Sequence, residues 1–233
     1  MELRKLILSQ ALRETRLAGP RPSDPRIFHA SEAGDCKKAI YLKHTGVKEK
    51  RQYSSKDEEA RVMLLLADGR MHQEQLSGYI HRAPGVHLVN VESTHYMEVD
   101  DFYIVGSPDG IIHDVKEKKS YVLEIKGLSR FTVQKMRDEE IDTLKDSYGQ
   151  AIPQARLYSM MHNTDGIKIL VKDKDTSDIK EFTIERDAAV EKRIVAKFQG
   201  IRAAIRSKSV PTCDYVKGDW KCKYCPFSTH CGE

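Results

Sequence analysis

Residues 106–127 read GSPDGIIHDVKEKKSYVLEIKG, and two charges of opposite sign sit in its most apolar segment, Tyr121-Val122-Leu123-Glu124-Ile125-Lys126. Residues i and i+2 of a strand point the same way, so Glu124 and Lys126 project together, flanked by Val122. Buried charges are costly unless paired or bound to a metal, and an ion pair is the ordinary reading. An acid two residues before a lysine also occurs at Asp35, Asp114, Glu117, Asp178 and Asp219, mostly in charged, turn-like surroundings. Only Glu124 lies inside a clearly apolar strand. Asp109, between Pro108 and Gly110 at a strand end or bulge, can face Glu124 across a hairpin. Two facing carboxylates repel unless a proton or cation lies between them. A hard cation such as Mg2+ or Mn2+ takes one or two carboxylates and leaves positions for water and phosphate. Lys126 would then orient or deprotonate the attacking water, and phosphodiester hydrolysis is the reaction class that fits.

Outward from this stretch, residues 86–126 alternate with period two and predict a three-strand antiparallel meander: VHLVNVESTHYMEV, FYIVGSPDGIIHD and YVLEIKG. Helical patterns cover 58–80, 141–162 and 188–207, and two more strands, GIKILVKDK and IKEFTIE, frame the turn-rich DTSD. SEAGDCKKAIYLKH looks like a capped helix start, with Ser31 and Asp35 as candidate caps. MELRKLILSQALRETRL reads as an amphipathic helix ending at Gly19-Pro20. This order implies one α/β domain, a mixed central sheet flanked by helices.

The chain has 233 residues, 39% apolar and 32% charged, with a formal net charge of +4. That describes a globular chain with a real core and permits nucleic acid as a partner without demanding it. No apolar run approaches the roughly 18–20 residues of a membrane span, and the amino terminus lacks the pattern of a signal peptide. A cytoplasmic protein that does not engage a membrane is expected. No G-x-x-x-x-G-K-[ST] motif occurs, so any helicase would be a separate partner.

In VMLLLADGRMHQEQL, Leu65, Gly69, His72 and Leu76 share one helical face. His72 there is a core histidine or, with the acidic strands packed against it, a third metal ligand, with Gly69 clearing the approach. In YGQAIPQARLYSMMH, Gln150, Gln154 and Tyr158 follow one another at intervals of four, either as a polar surface or as contacts to phosphate or base. Pro153 is expected to bend that helix.

Gly69-x-x-His72, Pro108-Asp109, Glu124-Ile125-Lys126 and Gln154-x-x-x-Tyr158, in this order, resemble the motifs of the RecB-like branch of the PD-(D/E)xK nuclease superfamily. The resemblance implies a restriction-endonuclease-like core. His72, Asp109, Glu124 and the main-chain carbonyl of Ile125 would hold the metal, and Lys126 would act on the water. Gln154 and Tyr158 would support the site and the DNA backbone.

Three of the five cysteines, Cys222, Cys225 and Cys231, crowd the carboxyl terminus. A C-x2-C loop with a third cysteine close by suits tetrahedral zinc or an iron–sulfur cluster, with Cys36 or Cys213 as the fourth ligand. Trp220, Tyr224 and Phe227 would shield the centre and Pro226 would stiffen its loop, which favours iron–sulfur over zinc. Here the chain resembles the iron–sulfur nucleases, including the AddB nuclease domain and CRISPR-associated RecB-like exonucleases. That resemblance implies a 4Fe–4S cluster on Cys36, Cys222, Cys225 and Cys231, with Cys213 left over. Residues 31–50 and 208–233 would then form a staple around a 58–207 core, within a single nuclease domain over 1–233. Joining Cys36 to Cys222 closes a loop of roughly 190 residues, about 5 kcal/mol of stabilisation on the chain-entropy account. The expected activity is a single-stranded DNA exonuclease. The competing readings are a DNA-binding accessory subunit of a recombination or CRISPR-adaptation complex, and a zinc-stabilised nucleic-acid-binding protein.

Overall fold

A computed structural model of the chain describes residues 3–17, 24–50, 53–216 and 219–230. The amino-terminal helix α1 (Leu3–Leu17) packs on α3 (Lys56–Arg82), and its predicted end at Gly19-Pro20 lies outside the described residues. Strand β1 (Ile27–His29), a 3-10 turn over Ala30–Gly34 and α2 (Lys37–His44) come between them. Neither Ser31 nor Asp35 caps α2. Cys36 is its N-cap residue without a side-chain bond, and the Asp214 carboxylate accepts from the Lys37 amide at 2.7 Å. The cap therefore comes from the other end of the chain.

The 86–126 region forms five strands rather than three: β2 (Val86–Val89), β3 (His95–Val99), β4 (Phe102–Gly106), β5 (Gly110–Asp114) and β6 (Lys119–Leu128). Two breaks cause the difference. Asn90 and Glu92 both adopt left-handed conformations, each with φ 53°, and Ser107-Pro108-Asp109 separates β4 from β5, Pro108 having no N–H for a ladder. The pieces divide between two sheets, a three-stranded one ordered β1-β4-β3 and a five-stranded one ordered β2-β5-β6-β7-β8.

The larger sheet is mixed. β2-β5-β6 is antiparallel, β7 (Gly166–Asp173) joins β6 in parallel after a helical crossover, and β8 (Ile179–Glu185) closes the edge antiparallel to β7. This is the helix-flanked mixed sheet that the sequence implies. The crossover carries α4 (Arg130–Val133), α5 (Ile141–Tyr148) and α6 (Ala151–His162), and α7 (Ala188–Ser207) follows β8. The single helix predicted over 141–162 is two helices, interrupted at Gly149-Gln150. Pro153 lies in the first turn of α6, where the amides need no intrahelical acceptor, so it opens that helix instead of bending it.

Strand parity divides the core. Leu123 and Ile125 pack with Leu76 of α3, Leu88 and Ile112. Val122, Ile167, Ile169 and Val171 pack into the main cluster with Leu157 and Tyr158 of α6 and Phe198 of α7. A short helix, α8 (Trp220–Lys223), ends the described chain. Among the described residues no helix is long and apolar enough to cross a membrane.

Candidate active site

Asp109 immediately precedes β5, one residue beyond the Gly110↔Leu123 pair, and so stands opposite Glu124 on β6. Its Oδ2 accepts from the Ile125 amide at 2.5 Å, and its Oδ1 accepts from Gln73 Nε2 of α3 at 2.8 Å. Glu124 is 0% exposed, and neither of its carboxylate oxygens has a hydrogen-bond partner. Its compensation is Lys126, whose Nζ lies 2.5 Å from Oε1 as an ion pair outside hydrogen-bond geometry.

The electrostatics follow from that burial. Desolvation first, then repulsion from Glu124, pushes Asp109 up to about 8, against the pull of Lys126 and the Ile125 amide. Glu124 is raised as well, chiefly by desolvation, with Lys126 opposing. Burial works against the charge of Lys126, but Glu124 and Asp109 together hold it above the ordinary lysine range. The ammonium is therefore the counter-ion of an acidic pair that is unstable with both members ionised.

Tyr158 is buried. Desolvation and the nearby Glu124 raise its hydroxyl to about 12, so it stays protonated. Gln154 Nε2 donates to the Tyr158 oxygen at 3.3 Å, one turn earlier on α6. The ring abuts the chain at Gly106, where a Cβ would come within 2.7 Å of its Cε1 and its hydroxyl oxygen, so a side chain there would displace Tyr158. Gln150 precedes α6, and its backbone packs against Gly34.

His72 reaches the far end of β6 from the opposite face: a Cβ on Gly127 would lie 3.1 Å from its ring. Desolvation, then Lys172 and Lys174, lower its pKa, which keeps a neutral imidazole available as a ligand. Strand parity explains why it stands apart from the carboxylates. Glu124 and Lys126 face away from α3, while Leu123 and Ile125 face it. Among the described residues, no three His, Cys, Asp or Glu side chains gather closely enough to hold one metal ion. The predicted face of α3 is covered only toward Leu76, since Leu65 is 55% exposed. A Cβ at Gly69 would meet nothing within 4 Å, so that glycine clears no approach.

Sequence reasoning missed Gln73, the side-chain donor to Asp109, and Glu92, to which the same amide nitrogen also donates. Gln73 adjoins His72 in the chain, but its role needs the packing of α3 against the β4–β5 turn.

At the other end of the molecule, Cys36 Sγ lies 3.6 Å from Cys213 Sγ, the cysteine that the resemblance leaves over, and accepts from the Asp214 amide at 3.4 Å. Cys36, Cys213, Cys222 and Cys225 line one cavity of about 980 Å3. Cys231 lies outside the described residues, as does the side chain of Trp220. Phe227, buried in the main core, and Tyr224, 78% exposed, both line the cavity. The Lys50 amide donates to the Pro226 carbonyl at 2.9 Å, a further tie between the 31–50 segment and the tail.

No protein-family model and no curated protein matches the sequence. Among solved structures, the crystal structure of SSO0001 superposes on 100% of this chain and 97% of its own, with 16% identity and a TM-score of 0.59. The alkaline exonuclease LHK-Exo from Laribacter hongkongensis covers 78% of this chain and 88% of its own, at 15% identity and a TM-score of 0.49. LHK-Exo in complex with dAMP covers 78% and 89%, at 14% and 0.46. At these identities likeness concerns the fold alone, and the first alignment extends that shared fold over the full length of the chain.

Proposed function

We propose that the chain is a divalent-metal-dependent deoxyribonuclease, an exonuclease acting on single-stranded DNA, with a structural iron–sulfur cluster. The observation that carries the catalytic part is Glu124, a fully buried carboxylate with no hydrogen-bond donor, set beside a second carboxylate that burial drives toward protonation. A polar arrangement that costly persists where a ligand completes it.

Mg2+ or Mn2+ would be held by Asp109, Glu124 and the Ile125 carbonyl; the resemblance adds His72, which lies across β6 and would have to move to reach that ion. A bound cation supplies Lewis acidity and neutralises charge at the phosphate. Lys126, kept protonated by its two acidic neighbours, acts as a donor and orients the attacking water or a phosphoryl oxygen, because an ammonium has no lone pair to accept a proton. Tyr158, also protonated, offers its O–H to the strand, and Gln154 holds the oxygen of that hydroxyl.

The cysteine cavity offers thiolate donors and room for a cluster, although the described cysteines do not converge on one point. Cys36, Cys222, Cys225 and Cys231 would hold a 4Fe–4S cluster that ties the two chain ends together. Iron and visible absorbance are expected to vanish in Cys36→Ala and Cys222→Ala. DNA is the direct partner, and a separate helicase or recombination or CRISPR-adaptation proteins would accompany it.

The test is digestion of end-labelled single- and double-stranded DNA with Mg2+, Mn2+ or EDTA, by native protein and by Lys126→Ala. Cleavage by native protein that needs metal, prefers single strands and disappears in the variant supports the reading. A native protein that binds DNA yet leaves every substrate intact overturns it in favour of an accessory subunit.

A further inference from the structure

The carboxyl end of β6 opens between two helices. On one side α3 overhangs it: Leu65 is 55% exposed and a Cβ at Gly69 would meet nothing within 4 Å. On the other stands Phe131 of α4, at 82% the most exposed large apolar side chain among the described residues. Single exposed apolar residues are ordinary, so position and surroundings must decide. Lys174 joins the two sides. Its amide donates to the Leu128 carbonyl at 3.0 Å, its Cε would lie 3.0 Å from a Cβ on Gly127, and its Nζ donates to the Leu65 carbonyl at 3.4 Å. The next residue, Asp175, accepts from the Arg130 amide at 3.3 Å. Leu65 and Phe131 therefore flank one short surface with Lys174 between them. Phe131 is held in place there: Val133 and Met136 anchor its turn in the main core, and the amides of Val133 and Gln134 close on the carbonyls of Ser129 and Arg130 at 3.1 and 2.9 Å. The surroundings are basic. Residues 129–136 read SRFTVQKM, with two cations and no acid, and at His72 Lys172 and Lys174 act more strongly than Asp68. Asp173 and Asp175 are engaged by backbone amides of Asp175, Thr176 and Arg130.

We propose that Phe131 and Leu65 are the walls of a groove that receives an unpaired base of a DNA strand, with Lys174 and Arg130 as the cations for its phosphates. The inference rests on the nuclease reading above and deepens it, because it assigns the preference for single strands to named residues. A base offers an apolar face of the same kind whatever its identity, and an aromatic ring held in a basic groove stacks on it without reading sequence. In a duplex those faces are already stacked on their neighbours and only phosphates and groove edges reach a protein surface. An apolar wall thus rewards the unpaired strand alone, whereas a lysine or arginine rewards both forms. The placement also fits the chemistry. Phe131 follows Lys126 by five residues, so the two lie no more than about 18 Å apart along the backbone. A base on the Phe131 ring and a phosphate at the Glu124–Lys126 pair would belong to one short stretch of strand.

The experiment measures binding by fluorescence anisotropy in EDTA, where nothing is cut, to a labelled oligothymidylate and to an abasic strand of equal length. Native protein is expected to bind the thymidine strand about tenfold more tightly than the abasic one, the size of a single stacking contact. Phe131→Ala should bind both strands alike, with its salt dependence unchanged because no cation is removed. Phe131→Tyr should keep the difference, and Lys174→Gln should weaken both strands together and flatten the salt dependence. The exposed ring makes an unaltered melting temperature the expectation for Phe131→Ala. A Phe131→Ala protein that still separates the two strands overturns the proposal, as does a native protein that does not separate them or binds neither. A native dimer that Phe131→Ala turns into a monomer, with strand discrimination intact, also overturns it, because a second copy would then cover the ring. Digestion with Mg2+ run in parallel keeps the two ideas apart. Cleavage without the base-dependent binding leaves the nuclease and removes the groove, and base-dependent binding without cleavage does the reverse.

Discussion

Glu32 and Glu124 are equally hidden, 2% and 0% exposed, and they have opposite fates. Glu32 accepts from Lys43 Nζ at 2.6 Å and from the His29 amide at 2.9 Å, and its Oε2 lies 3.1 Å from His44 Nε2. Burial alone would raise Glu32, but the bonds to His44, Lys43 and His29 outweigh it and bring the carboxyl down to about 2. Glu124 has one lysine out of hydrogen-bond geometry, no donor on either oxygen, and a raised pKa. Burial is therefore not what distinguishes a site from a structural ion pair. Satisfaction is: Glu32 is complete within the protein, whereas neither oxygen of Glu124 has a hydrogen-bond partner.

The widest separation between the two glutamates should appear in activity. Lys126→Ala and Glu124→Gln are each expected to lower metal-dependent cleavage about 1,000-fold, equivalent to about 4 kcal/mol of transition-state stabilisation. Glu32→Gln, assayed below its melting temperature, should cut at close to the native rate.

Stability should separate them with opposite sign. Glu32→Gln leaves Lys43 and His44 without their buried partner, a loss of about 3 kcal/mol, or roughly 10 °C at about 2–4 °C per kcal/mol. Glu124→Gln ends the repulsion between the two carboxylates while Asp109 remains as counter-ion to Lys126, and should raise the melting temperature in EDTA by roughly 5 °C on the same conversion. Calorimetry of both variants checks the pair. A drop of similar size in each would erase the distinction.

The pH dependence sharpens it further. Asp109 moves up from an ordinary 3.8 to about 8, so the stability its protonation contributes is complete below pH 3.8 and is lost as the pH climbs through 8. Glu32 moves down from 4.5 to about 2, so its contribution is complete above pH 4.5 and is lost as the pH falls toward 2. Metal-free protein should therefore weaken between pH 4 and 8 through the Asp109–Glu124 pair, while acid unfolding below pH 4 runs through Glu32. Melting curves across that range in EDTA, for native and Glu124→Gln protein, test the first limb.

Tyr158→Phe should show the smallest effect. The phenol contributes one hydrogen bond of about 1 kcal/mol, roughly fivefold in rate, and its packing on Gly106 survives the substitution.

Much of this site was legible before any coordinates. Asp109, Glu124 and Lys126 announced themselves because charge inside an apolar strand is rare and parity fixes which residues share a face. The facing of Asp109 and Glu124 follows from a local hairpin. The rest depended on long-range packing that no local pattern encodes. Gln73 is one polar residue among many on an amphipathic helix until α3 is laid beside the β4–β5 turn. Glu32 sits in a run read for its caps, and its partners His44 and Lys43 lie beyond a change from 3-10 turn to α-helix. The five strands of 86–128 alternate through two turns as though continuous, because left-handed Asn90 and Glu92 leave the period intact while changing the sheet. Cys213 was one of two candidates for a fourth ligand, and only the tail folded back on α2 shows that it lies beside Cys36.

The most direct measurement of the central claim is the shift in melting temperature on adding Mn2+ at pH 8, for native protein, Glu124→Gln and Glu32→Gln. Native protein and Glu32→Gln should both rise by several degrees over their values in EDTA, and Glu124→Gln should not move. An equal rise in all three would contradict the claim, because it would place the cation somewhere other than the unsatisfied carboxylate pair.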